Sequence, residues 1–180
     1  MRPSFSVLAA AVLSLSGPAC AAAQQAPAPC PAPVAPAGEL APWAQARAMP
    51  AAHTAAELPQ ATLAIGQAAR LALAPAAETA YVLPPERAAT PATFGGMVRF
   101  SVAQPGTYRV ALGTAAWIDV VTGGGTVAGG GAVPSSAHGH GPACTGIRKI
   151  VDFALQPGDY TIQLSGSAAP EATLLVAAKP

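Results

Sequence analysis

Charge is scarce in this 180-residue chain: nine Lys and Arg stand against eight Asp and Glu, a formal net charge of +1. So few cations, with no cluster among them, argue against nucleic acid and against anionic membrane surfaces. Aromatic residues make up only 5% of the chain, so most of them are needed for a core. An unbroken apolar run of about 20 residues, the length of a membrane span, is also missing. The nearest approach is Val7–Leu15, which Ser16-Gly17-Pro18 interrupts. The hydrophobic fraction of 52% is mostly alanine, which leaves fewer core-forming side chains than it suggests.

What is present begins with an export signal. Arg2 is the only charge before Glu39, the apolar run follows, and Ala21-Ala22-Ala23 supplies the small residues of a cleavage site before Gln24. This is the three-part layout of a secretory signal over residues 1–23, cut between Ala23 and Gln24. Cys20 offers an alternative as a lipidated cysteine, but Gly17-Pro18-Ala19 departs from the usual preceding triplet. Cleavage removes Arg2, leaving eight basic against eight acidic residues, and it removes Cys20. The remaining pair, Cys30 and Cys144, is by default a disulfide in a periplasmic or secreted protein. Closing so long a loop stabilises by about 4–5 kcal/mol at most.

The exported part divides in two. Residues 24–57 read as a Pro/Ala-rich arm, with a short helix over Glu39–Ala48 around Trp43. Residues 58–180 read as one all-β domain. Strands are expected at Ala61–Ile65, Ala69–Leu73, Thr79–Leu83, Gly96–Val102, Tyr108–Leu112, Trp117–Val121, Arg148–Leu155, Tyr160–Leu164 and Ala172–Val176. Val98, Phe100 and Val102 alternate with Arg99 and Ser101, the period-two pattern of a strand buried on one face. Short strands between Gly/Pro turns, without a long helix, indicate a small β-sandwich or jelly roll. An internal repeat supports this: Gln104-Pro105-Gly106-Thr107-Tyr108 returns as Gln156-Pro157-Gly158-Asp159-Tyr160. Pro-Gly suits the centre of a type II turn, with positive φ at the glycine. Tyr108 and Tyr160 then pack inward. Residues Gly123–Gly141 read as a long glycine-rich loop without a phosphate-loop ending.

Candidate chemistry concentrates at His138-Gly139-His140-Gly141-Pro142-Ala143-Cys144. An H-x-H pair can turn two imidazoles onto one Fe or Zn ion. A full site needs further ligands, from Cys144 if its thiol is free, or from Asp152, Asp119 or His53. Otherwise the histidines serve a solvated loop, and no cofactor is required. Ser135 and Ser136 lack a nucleophile elbow. Trp43 and Trp117 could form a sugar-stacking platform, and Arg148-Lys149 reads as a wet face.

Gly96–Val176, with its alternating strand and its two Pro-Gly-x-Tyr units, resembles exported sandwich domains of the pre-peptidase C-terminal type. That resemblance implies a non-catalytic accessory. Gly106–Gly113, Ala116–Val120 and His138–Lys149 also resemble short exported proteins sometimes labelled homogentisate 1,2-dioxygenase. The dioxygenase of that name is a larger cytoplasmic cupin holding iron through two histidines and a glutamate. His138 and His140 match the cupin H-x-H, whereas Cys144 stands near the glutamate position and no histidine follows. The leading expectation is an exported, non-catalytic sandwich that binds a glycan, an envelope component or a protein partner at Gly123–Gly141 beside His138 and His140. A metal-binding protein with His138 and His140 as ligands, in its enzymatic form an oxygenase, is the alternative; an assembly or inhibitor module using its exposed strand edges is a third.

Overall fold

The structure is a computed structural model that describes residues 30–123 and 130–180. The expected signal peptide, its Ala23/Gln24 cleavage site and Cys20 lie outside the described residues. Two β-sheets face each other. One holds six strands in the order β1 (Arg47–Pro50), β2 (Ala68–Ala72), β11 (Glu171–Ala178), β5 (Gly106–Leu112), β9 (Lys149–Leu155) and β8 (Ser135–Gly139). The other holds five: β3 (Ala74–Pro75), β4 (Phe94–Val102), β10 (Gly158–Ser167), β6 (Trp117–Thr122) and β7 (Ala132–Val133). Among the described strands, only β1 and β2 pair in parallel. The chain is the small β-sandwich that its alternation implies.

Alternation builds the core directly. Val98, Phe100 and Val102 of β4, Val110 and Leu112 of β5, and Ile162 and Leu164 of β10 turn into one cluster between the sheets. The repeat forms two corners. Each Pro-Gly unit carries the chain across the sandwich, from β4 to β5 and from β9 to β10, instead of closing a hairpin. Gly106 accordingly lacks the positive φ of a type II turn, and Gly158 has φ 152°, far from the value that turn requires. Both tyrosines are buried and reach back four residues: Tyr108 Oη donates to the Gln104 carbonyl at 2.8 Å, and Tyr160 Oη to that of Gln156 at 2.9 Å. Tyr108 lies opposite Phe153 and Tyr160 opposite Phe100, so the two units also meet through matching pairs.

Both outer faces carry apolar cover. On the six-stranded sheet, Leu40 and Trp43 pack over Ala111, Ile150 and Leu175. They lie on a 3-10 helix, Gly38–Gln45. The expected helix Glu39–Ala48 is thus shorter and tighter, because Pro42 has no N–H for an α-helical bond, and its last residues belong to β1. From Gly38 the presumed arm is part of the sandwich. On the five-stranded sheet, Leu58, Ala61 and Val82 cover Met97 and Val121.

Two expected strands in that cover are not strands. Ala61–Ile65 makes a single bridge, Thr62 to Arg99. Thr79–Leu83 joins no ladder: Thr79 N and Ala80 N donate to the Ala76 and His53 carbonyls, and the Gln163 side chain takes up the backbone groups of Leu83. Gln163 accepts from Leu83 N and donates to Leu83 O, both at 3.0 Å, while Tyr81 Oη donates to the Leu164 carbonyl. The presumed loop Gly123–Gly141 contains β7 and β8. The five residues of β8 are all exposed, so no buried face announces them.

Cys30 and Cys144 are joined in a disulfide, with Cα atoms 5.4 Å apart. Val34 N donates to the Cys144 carbonyl, holding the arm beside the bond.

Candidate functional site

Between the β8–β9 edge of one sheet and the β6–β7 edge of the other lies a cleft of about 590 Å³. Ile118, Val133, Val151 and Phe153 supply its apolar lining, and Trp117 brings an indole. Glu86, Asp119, Arg148, Lys149, His138 and His140 supply polar groups. The volume falls in the range of small-molecule sites, about 300–1,000 Å³. A second concavity of about 540 Å³ lies on the other side of β8, over Leu40, Ile150 and Asp152. Strand β8 is therefore a wall shared by both, and His138 and His140 line each.

Asp119 points outward from β6 into the irregular cover, where it is only 8% exposed. Its carboxylate accepts from Trp117 Nε1 at 2.9 Å and from Glu86 N at 3.3 Å. Burial pushes its pKa above the usual carboxylate range, with the Trp117 and Glu86 bonds opposing. These bonds hold the indole in place and dock residues 86–87 beside it. Ser165 Oγ, donating to the Arg87 carbonyl at 3.3 Å, fixes the same segment.

Two cations rest on the indole. Arg87 Cζ lies 4.9 Å and Lys149 Nζ 5.3 Å from a Trp117 ring centroid, within cation–π range. Lys149 Nζ also donates to the Ala116 carbonyl at 2.8 Å. Burial lowers the Lys149 pKa, and the charges of Arg87 and Arg148 lower it further. The pair Arg148-Lys149 is therefore more than the wet face its brevity suggested: Arg148 is exposed, but Lys149 is half-buried against Trp117.

His138 and His140 share the cleft, and His140 Nδ1 lies 3.1 Å from the Arg148 carbonyl, to which it donates. The other suggested ligands are placed elsewhere. The Cys144 sulfur is in the disulfide. Asp152 faces the outer concavity, bonded by Arg109 Nε at 3.0 Å and Lys179 Nζ at 3.0 Å. Burial raises its pKa, but those two cations more than offset this and hold it below the usual range. His53 lines neither concavity. Among the described residues no group of three or more His, Cys, Asp or Glu could hold an ion. Ser136 Oγ is occupied with the Asp152 carbonyl. The two tryptophans form no joint platform, since Trp43 is buried under the 3-10 helix.

Gly141 presses this segment onto the body: a Cβ there would stand 2.4 Å from the Ile147 Cβ. Sequence reasoning missed Glu86, which lines the cleft, and Arg87, which lies over Trp117; Asp119 and Ser165 place both by capturing an irregular segment. No periodic signal could have found them. Among the described residues, no helix is long and apolar enough to cross a membrane.

No family model matches the chain, and no curated protein is significantly similar to it. Among solved structures, the pre-peptidase C-terminal domain of a collagenase from Bacillus anthracis is similar over 64% of this chain and 91% of that one, at 10% identity and a TM-score of 0.34. At that score the likeness assigns neither family nor function.

Proposed function

We propose that the chain is an exported, non-catalytic binding module of the cell envelope, periplasmic or secreted, with its ligand site in the cleft between the β8–β9 and β6–β7 edges. The observation that carries this reading is the convergence of apolar walls and polar groups from both sheets on one concavity. The polar groups are committed to building it: Asp119 positions Trp117 and residue 86, and Lys149 bonds a backbone carbonyl. The disulfide suits an oxidising compartment. Of a glycan, another envelope component and a protein partner, the cleft's size and mixed lining favour a glycan. The two tryptophans give two indole N–H signals in a ¹⁵N NMR spectrum. Titration with envelope oligosaccharides is expected to move the Trp117 signal and leave that of buried Trp43 in place. Saturable binding that leaves Trp117 unmoved would sink the reading.

A second reading, a single Fe or Zn ion at His138 and His140, is favoured by one observation. The Nδ1 of His140 serves Arg148, which leaves Nε2 as the free nitrogen, the arrangement usual in metal-bound imidazoles. Stoichiometric metal in the purified protein, lost in the His138→Ala/His140→Ala double variant, would support this reading. Metal-free wild type would end it, together with the oxygenase that depends on it.

A further inference from the structure

We propose that the cleft recognises a carboxylated sugar, a uronic acid unit of an acidic polysaccharide, through Arg87, Arg148 and Lys149. The inference rests on the binding reading above and names the ligand class of the same site.

Three cations gather around Trp117, which lines the cleft together with Arg148 and Lys149. Arg87 and Lys149 lie against the indole, and Arg148 precedes Lys149 at the start of β9. No carboxylate forms an ion pair with any of them among the described residues, whereas Arg99 and Lys179 each have one and Arg109 has two. Arg87 and Arg148 are exposed but place like charge beside the half-buried Lys149, and a bound anion relieves that repulsion. The downward shift of the Lys149 pKa, from burial and from Arg87 and Arg148, is consistent with this. Glu86 and Asp119 line the same cleft without pairing with these cations, so a ligand carboxylate can supply the ion-pair partner they lack.

The rest of the lining narrows the ligand. Asp119 and Glu86 stand in the same wall, and His138 and His140 line the opposite one. These groups accept hydrogen bonds from hydroxyls. A uronic acid has one carboxylate for the cations and several hydroxyl donors for the acceptors. Its C–H faces suit Val133, Val151 and Phe153. Trp117 has a different role from the sugar-stacking platform expected of it: with Arg87 and Lys149 on its ring, it positions the cations.

Calorimetry on the purified protein at low salt tests this with five probes: trigalacturonate, its methyl ester, a neutral cello-oligosaccharide, an oligoglutamate of equal charge, and inorganic phosphate. Trigalacturonate is expected to bind at least tenfold more tightly than each of the others. Arg148→Gln, at an exposed position, and Lys149→Met are each expected to weaken it about tenfold, with thermal melts confirming the fold of both variants. Equal binding of the acid and its ester would overturn the charge inference while leaving the cleft reading intact. Oligoglutamate or phosphate binding as tightly as trigalacturonate would overturn the sugar assignment. Failure of every saccharide to bind would overturn the inference together with the glycan reading on which it rests.

Discussion

Asp119 and Asp152 show how position decides what one residue type does. Each points outward from its sheet and each is nearly buried, yet their carboxyl groups shift in opposite directions. Asp152 meets two cations, Arg109 and Lys179; Asp119 meets an indole N–H and a backbone N–H, with no cation in ion-pair contact. Because burial raises the Asp119 pKa in the folded state, ionisation is penalised there relative to the unfolded chain. Its contribution to stability is thus full below the unfolded value and lost as pH rises through the folded one. Asp152 works the other way: its contribution is present above the unfolded value and lost as pH falls through its lowered folded value. Asp119→Asn is expected to remove the decline in melting temperature that Asp119 causes on moving from acid toward neutral pH, whatever its constant offset. Melting curves between pH 3 and 8 check this; an unchanged pH profile would refute it. Neither role is visible in the sequence, where both residues are simply aspartates beside apolar neighbours.

At the scale of elements, the legible strands are those with one buried and one exposed or covered face. The strands β4, β5, β6, β9, β10 and β11 show this pattern in their side chains. Strand β8 does not, because an edge strand with all five residues exposed buries nothing. Thr79–Leu83 failed for the opposite reason: it has a strand-like composition, but Gln163 and Tyr81 satisfy its surroundings without a ladder. The cleft inherits both difficulties, since β8 forms one wall and the captured segment brings Glu86 to the other, with Arg87 over Trp117. The histidines could be picked out from their spacing and Arg148-Lys149 as a basic pair; Arg87 could not. The corners were readable as repeats, although their crossing between sheets was not. Each corner is held by a tyrosine hydroxyl, and Tyr160 also accepts from Gln156 N at 3.1 Å, a bond Tyr108 lacks. Tyr108→Phe should therefore cost about 1 kcal/mol and Tyr160→Phe about 2 kcal/mol, read as shifts in urea midpoint. Equal losses would mean that the second bond contributes nothing.

For the whole molecule, the disulfide decides which parts of the chain lie between its ends. Its bond spans 114 positions, from the arm to the segment just before β9. A pull on a chain anchored through its N-terminal arm enters the fold at Cys144, bypassing the 3-10 helix and strands β1 to β8. Only β9, β10 and β11 lie in the path of the force. Stretched between its ends in a single-molecule experiment, the oxidised protein should extend by at most about 130 Å on rupture, the reach of the roughly 36 residues after Cys144. With reductant the same rupture should release about 500 Å. One wall of the cleft, β8, is outside the force path and the other strand of that edge, β9, is inside it. Tension on the arm is thus a mechanical input to the ligand site, delivered across a single covalent bond.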